Sequence, residues 1–314
     1  MKDIKSFKVS FEDLTKKVVK NSIISSGSRV LNQILTKTTN IGYIRGRIYE
    51  IFGPEGCGKT TLMLEAAADC CKKGSKGVIV DAEHAINLEY AKELGVDFAK
   101  IELYEPYTGE DIFEIIIDSV NKGVDFIGID SVAAMVPTSE FEAGMDQEQM
   151  GAHARMIGKG LRKLMPLMKR DTAATIIFIN QLRVKIGVAY GNPETRPGGF
   201  ALKYLASGAS IDVRSARSEA RKLDGKEIGK FLIVKTVKNK YNSPFMRCRI
   251  PLTYGKGLDK LLDLAQYLKN EGFCEFSEKT ITIKGYPRMN IEVFRERMNQ
   301  DKQFNKKILG LIGE

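Results

Sequence analysis

The 314-residue chain contains no tryptophan and only two histidines, His84 and His153. Its five cysteines, Cys57, Cys70, Cys71, Cys248 and Cys274, make no C-x-x-C pair. These scarcities exclude the common zinc frameworks, which need several Cys or His at short fixed spacings. An odd cysteine count without a secretion signal argues for reduced thiols rather than a disulfide scaffold. Long apolar runs are missing as well. No window approaches 18 uninterrupted apolar residues, so no transmembrane helix is expected. The N-terminal MKDIKSFKVSFEDLTKK lacks the apolar stretch of a signal peptide, and a cytoplasmic protein is expected.

What is present is positive charge, unevenly spread. The formal net charge is +10, but residues 155–249 hold 21 Lys or Arg against 6 Asp or Glu. That is a local net of +15, leaving −5 for the rest of the chain. A basic block of this size points to a polyanion, nucleic acid first, with a merely solvated surface as the competing reading.

From residue 47 the pattern alternates between strand and helix. RIYEIF (47–52), GVIVD (77–81), IELY (101–104), DFIGID (125–130) and ATIIFINQ (174–181) read as strands. Helical spacing covers 60–71, 86–95, 109–122 and 147–170, and further strands are expected at 209–214, 230–237 and 245–252. Short apolar strands separated by helices imply an α/β fold with a largely parallel central sheet covered on both faces. Residues 1–20 suggest a short amphipathic helix that docks on a neighbouring subunit or on its own core, and 25–40 a capped short helix. Segments 137–150 and 182–200 break the alternation, and long loops of this kind usually serve function. After residue 257 a helix at 258–270, a hairpin near 273–284 and terminal helices suggest a small α+β domain. The expected division is therefore 1–43 for oligomerisation, 44–257 for the core and 258–314 for the C-terminal domain.

One motif fixes the first piece of chemistry. Gly53, Pro54, Glu55, Gly56, Cys57, Gly58, Lys59 and Thr60, followed by Thr61, spell G-x-x-x-x-G-K-T between a predicted strand and a predicted helix. The glycines let backbone N–H groups turn toward phosphate oxygens, and the helix adds its positive N-terminal end. Lys59 would hold the β- and γ-phosphates of ATP, and Thr60 would offer its hydroxyl to Mg2+. Asp130, ending the apolar strand FIGID, is the candidate second magnesium acid, with a helix cap as the alternative. Glu83, after the strand ending in Asp81, is placed to polarise the attacking water. Gln181 ends a third strand at the same edge, can sense the γ-phosphate, and opens into the loop 182–199. That loop brings Arg183, Lys185 and Arg196 with Tyr190 and Phe200 near its ends, a mixture suited to single strands. The helix over 147–170 adds Arg155, Lys159, Arg162 and Lys163, and VKNK puts Lys238 and Lys240 on one strand face for phosphate contact, in a neighbouring subunit's site on one reading. On these residues alone a hexameric helicase or translocase, or a DNA-binding scaffold switched by ATP, stays open.

Longer runs narrow the choice. GPEGCGKTTL, VDAEHA with LEYAKELGVD, GIDSVAAMVP, MGAHARM, IFINQLRVKIGVAYGNPETRPGG, ALKYLAS and VKNKYNSPF occur in this order, and over residues 44–257 the chain closely resembles the bacterial RecA recombinases. The resemblance implies a RecA-like P-loop ATPase core and a DNA-dependent ATPase that forms a helical filament on single-stranded DNA. It further implies homologous pairing and strand exchange with double-stranded DNA. By that likeness Asp130 and Ser131 serve the metal site, Tyr90 stacks on adenine near Tyr254 and Gly255, and Glu83, Lys59, Gln181, Lys238 and Lys240 carry catalysis. Met150, Gly151, Arg155, Arg162, Arg183, Lys185, Ile186, Val188, Gly198 and Gly199 fall on DNA-contacting positions. Lys203 and Tyr204 would lie near the subunit interface. Gly56 and Cys57 replace the family's usual serines, Phe200 its asparagine, and Arg196-Pro197 part of its threonine run. An acidic C-terminal tail is missing, which implies a less restrained filament, and the small size and divergence suggest a viral or mobile-element member.

Overall fold

Short apolar runs between helices can satisfy their backbone groups only by pairing with one another, and in this chain most of them pair in parallel. The computed structural model describes residues 23–143, 151–168, 174–184, 194–223 and 225–314. The expected helix over 1–20, together with Met150, Lys185, Ile186 and Val188, lies outside the described residues.

The described chain opens with strands β1 (Ile23–Ile24) and β2 (Tyr43–Ile44), paired antiparallel around helix α1 (Arg29–Thr36). Ser28 caps α1, accepting the Leu31 N–H. Next come β3 (Arg47–Gly53), α2 (Lys59–Lys72), β4 (Gly77–Asp81), α3 (Leu88–Glu93), β5 (Ile101–Tyr104), α4 (Gly109–Asn121) and β6 (Phe126–Asp130). A one-turn helix α5 (Thr138–Phe141), helix α6 (Ala152–Leu164) and β7 (Thr175–Gln181) follow. The two-residue strands β8 (Arg183–Val184) and β9 (Glu194–Thr195), helix α7 (Ala201–Leu205) and β10 (Ala209–Arg214) lead to an antiparallel wing. The wing comprises β11 (Ala220–Leu223), β12 (Lys226–Asn239), β13 (Arg247–Thr253) and β14 (Gly257–Leu258). The chain ends with α8 (Lys260–Asn270), β15 (Cys274–Phe276), β16 (Thr280–Ile283), β17 (Met289–Asn290), α9 (Ile291–Gln300) and α10 (Lys302–Gly310).

The main sheet runs β14-β13-β12-β10-β3-β7-β6-β4-β5, with β11 alongside β12. Every pair from β10 to β5 is parallel, and the β12 wing is antiparallel. This is the expected α/β architecture. Its two faces carry separate apolar clusters. Tyr49, Ile51, Ile177 and Ile179 pack under α2, while Ile48, Ile176, Phe178 and Ile129 pack under α4 and α6. Each fully buried aliphatic chain contributes about 1.5–3 kcal/mol. A third cluster, including Leu268, Ile281, Phe294 and Phe304, gathers the C-terminal elements.

Three boundaries differ from the sequence reading, each for a local reason. Helix α6 is shorter than 147–170 because Pro166 cannot continue it, and a 3-10 turn over Met165–Leu167 takes over. Helix α3 starts only after Asn87, whose side chain accepts the Tyr90 N–H. Strand β12 extends back to Lys226 and pairs with β11, so the expected strand at 230–237 is half of a long hairpin arm.

Helix α6 is held against α4 by a close approach at Gly160, where an added Cβ would lie 2.4 Å from the Phe113 ring. At Gly158 the nearest atom to such a Cβ is the flexible Arg162 guanidinium, at 3.3 Å. The two substitutions should therefore act in opposite directions. Gly158→Ala should stabilise by up to about 1 kcal/mol through helix propensity, whereas Gly160→Ala should destabilise by about 1–3 kcal/mol through overpacking. Urea unfolding of both variants checks the signs.

Candidate functional site

Parallel pairing brings several strand ends to one edge, the usual ligand side of an open α/β sheet. Gly53 at the end of β3 pairs with Gln181 at the end of β7, and Asp81 of β4 pairs with Asp130 of β6. The loop after β3 reverses through Gly56 and Gly58, with φ of 65° and 88°, a region that side chains with a Cβ rarely enter. At Gly58 an added Cβ would also meet Leu232 at 3.0 Å, so β12 passes close beneath the start of α2. Helix α2 has no side-chain cap, which leaves its first N–H groups available to a ligand.

Lys59 is 7% exposed and donates to the Pro54 carbonyl at 2.6 Å. Thr60 Oγ1 donates to Asp130 Oδ2 at 2.6 Å. Burial pushes the Asp130 carboxyl up to about 6, and the nearby Glu83 and Asp81 charges add to the rise, while the Thr60 hydrogen bond and Lys59 oppose it. Asp130 therefore engages the P-loop helix and does not cap the following turn. One hydroxyl and one carboxylate oxygen side by side suit Mg2+, which keeps waters and shares phosphate oxygens instead of demanding a full protein cage.

Glu83 sits at the centre of a small network. Its Oε1 accepts from the Gln181 amide at 2.8 Å and from the Ser131 hydroxyl. The turn that presents it is built by Asp81, buried at the end of β4, whose carboxylate accepts the N–H groups of Glu83, Ala85 and Ile86 at 3.1, 2.9 and 2.9 Å. His84 within this turn adopts φ of 52°. Asp81 has a structural part in the site that its place at a strand end did not reveal.

Beside the loop lies an open cleft of about 330 Å3, lined by Gly56, Gly58, Lys59, Thr60, Thr61, Tyr90, Lys230, Leu252, Tyr254 and Gly255. Thr61 and Tyr90 share a hydroxyl contact at 3.0 Å, and the Tyr254 hydroxyl donates to Glu227 at 2.6 Å. Cys57 is 1% exposed, and burial pushes its thiol pKa up. The structure thus brings together the P-loop, Asp130, Ser131, Glu83, Gln181, Tyr90, Tyr254 and Gly255. It does not bring Lys238 or Lys240 to them. Lys238 donates to the Tyr204 carbonyl at 2.8 Å, with its pKa lowered by burial and by Lys240. Strand β12 ends at Asn239, so Lys240 stands just past it.

The basic loop begins where the network ends. Strands β8 and β9 close its base, pairing Arg183 with Thr195. Arg214 clamps Glu194 with two hydrogen bonds, at 2.6 and 2.7 Å, and Asn180 donates to the Pro197 carbonyl at 3.2 Å. Arg196, read from sequence as a phosphate contact, instead turns inward. Its guanidinium meets Glu50 at 2.5 Å and lies 4.0 Å from the centre of the Phe52 ring. Glu50, in the middle of β3 and 1% exposed, also accepts from Asn180 and Ser210 at 3.2 and 3.1 Å. Gly198 and Gly199 sit against Val132, Ile157 and Ala154, which places the loop's end on α6. Gly151, in the left-handed region, starts α6, and Arg155 and Arg162 are exposed along it. Arg183 and Arg196 share a second cleft of about 400 Å3 with His153 and Glu140. Phe200 and Tyr204 are exposed, with ring centres 6.1 Å apart.

A family model described as the RecA N-terminal domain matches residues 5–259. Curated relatives named Protein RecA extend the likeness. The one from Desulforapulum autotrophicum is 41% identical over 299 residues, covering 92% of this chain and 84% of the relative. That from Thermus thermophilus is 40% identical over 299 residues, covering 93% and 86%. That from Oceanobacillus iheyensis is 44% identical over 244 residues, covering 77% and 68%.

Removing one partner of a buried ion pair strands the other, at a cost of about 3–5 kcal/mol. Arg196→Ala should destabilise by that order, and Glu50→Gln in the same chain should recover part of the loss. A double-mutant cycle read by chemical denaturation measures the coupling.

Proposed function

This chain belongs to the RecA family, and we infer from that membership that it is a DNA-dependent ATPase that carries out strand exchange in recombination and repair. The observation that carries the reading at residue level is the network from Thr60 and Asp130 through Ser131 and Glu83 to Gln181, which continues straight into the base of the basic loop.

In this account the Gly53–Thr60 loop and the first turn of α2 hold ATP phosphates, with Lys59 as the charge directed at them. Thr60 and Asp130 would hold Mg2+, whose chemistry is to neutralise phosphate charge and draw electron density from the leaving group. Glu83 orients and deprotonates the attacking water. Its exposed carboxylate, supported by two side-chain donors, suits that task. Tyr90 and Tyr254 flank the adenine side of the cleft. Gln181 exchanges partners between Glu83 and the terminal phosphate and thereby shifts the loop base.

The DNA is single-stranded in the filament and double-stranded in the incoming partner. Gly198 and Gly199 pack on α6, which starts at Gly151 and carries Arg155 and Arg162, and Arg183 shares a cleft with His153 of the same helix, which supports assigning the DNA path along α6 and the loop base. Assembly into a filament is supported by Lys238 and Lys240. Eight residues of strand separate Lys238 from Lys230 at the cleft, about 26 Å at strand rise. Lys238 and Lys240 therefore serve the nucleotide of the next subunit instead of their own. Exposed Tyr204 and Lys203, next to Lys238, belong to the same contact.

Two measurements test this reading. The intact protein should pair a circular single strand with a homologous linear duplex when ATP is present, and Lys59→Ala should not; hydrolysis without any pairing would refute it. Glu83→Gln should retain ATP binding while hydrolysis drops roughly 10²-fold or more, as expected for removal of a general base.

A further inference from the structure

We propose that Lys230 is a second phosphate-binding cation of the nucleotide site, supplied from β12 of the same subunit, and that it makes the cleft selective for the diphosphate and triphosphate over the bare nucleoside. The proposal rests on the reading of the Lys59 cleft as an ATP site and adds a residue to it.

The geometry begins with strand periodicity. Alternate residues of a strand share a face. Leu232 and Val234, both fully buried, lie beneath α2 in the first apolar cluster. Lys230 continues the same face by one step and emerges where that cluster ends, at the mouth of the cleft. There it lines the same cavity as Lys59, Thr60, Tyr90 and Tyr254.

Its ammonium donates to the Gly56 carbonyl. Lys59 makes the equivalent contact with the Pro54 carbonyl. Two lysines from different elements thus rest their charges on carbonyls of one eight-residue loop. The Cys57 thiol lies between their influences: both lysines pull its pKa down against the effect of burial. A neutral carbonyl satisfies one of three ammonium donors and leaves the charge uncompensated. An anionic phosphate oxygen is the stronger acceptor, roughly twice as strong as a neutral one. Lys230 and Lys59 line one cleft but rest on different carbonyls of the loop, Gly56 and Pro54, so the two charges meet a phosphate chain at separate points.

The test separates charge from support of the loop. Lys230→Gln keeps an amide able to donate to Gly56 but carries no charge, and Lys230→Arg keeps the charge. Calorimetric titrations with ADP and adenosine, at low and high salt, compare both variants with the wild type and Lys59→Ala. The expected result is an ADP affinity about tenfold weaker for Lys230→Gln. Adenosine affinity should stay the same, Lys230→Arg should lie close to wild type, and the ADP difference should narrow in high salt. If Lys230→Gln binds ADP like the wild type, Lys230 only braces the loop and the proposal is overturned. Equal loss for ADP and adenosine also overturns it, because the effect is then one of cleft shape. Should Lys230→Gln lose its fold, Lys230→Met, which keeps the apolar stem, is titrated in its place against the same criteria. If wild type and Lys59→Ala bind ADP equally poorly, the nucleotide reading fails first, which is a result distinct from failure at Lys230 alone.

Discussion

Everything in the site depends on parallel strand register. Because β3, β7, β6 and β4 run the same way and pair in register, Gly53, Gln181, Asp130 and Asp81 end on one edge. Three residues that are far apart in sequence, Glu83, Ser131 and Gln181, then fall within hydrogen-bonding distance. A shift of one residue in any of these ladders would turn its end group to the opposite face. The sheet interior secures the register on both faces, with Ile48, Ile129, Ile176 and Phe178 buried on one side and Tyr49, Ile51, Ile177 and Ile179 on the other, so a slip would force two close-packed clusters to repack.

The edge is also an electrostatic arrangement. Asp81, Glu83 and Asp130 gather negative charge beside the P-loop, and Asp130 carries a raised pKa, chiefly because it is buried and further because of the Glu83 and Asp81 charges. Asp81 is relieved by three backbone N–H groups, so its charge shapes a turn instead of binding a ligand. Lys59 and Lys230 rest on the Pro54 and Gly56 carbonyls of the loop itself. In the proposed function a phosphate chain and its divalent cation would lie between the acids and the lysines, the cation toward the former and the phosphates toward the latter. Behind this edge the loop base is fastened to the sheet by Arg196–Glu50, Arg214–Glu194 and the Asn180 contact with Pro197. A change at Gln181 therefore acts on a fastened stem, and the path from nucleotide to basic loop needs no long chain of intermediates.

Much of this was legible in the sequence. The parallel strands announced themselves as short apolar runs, and GPEGCGKT needed only a strand before it and a helix after it. Glu83, Asp130 and Gln181 were found because each follows such a run. Other features left no such trace. Glu50 sits inside RIYEIF, where a buried acid looks like one polar interruption, and its partner Arg196 is 146 residues away. In sequence Arg196 is one of three loop cations suited to a single strand; only the fold brings Glu50 beneath it. Lys230 is one lysine among many in a basic block, and its value comes from β12 passing under Gly58. The β11–β12 hairpin was missed because its arms are too polar for a strand pattern, although the Asp224-Gly225 pair between them is a turn signal.

The central claim is that Gln181 links the nucleotide edge to DNA binding. It is tested most directly by the ratio of single-stranded DNA affinities with and without a non-hydrolysed ATP analogue, measured by fluorescence anisotropy for wild type and Gln181→Ala. The account predicts a large rise in affinity with the analogue for the wild type and a ratio near one for Gln181→Ala. A variant that keeps the full nucleotide-dependent rise would contradict it.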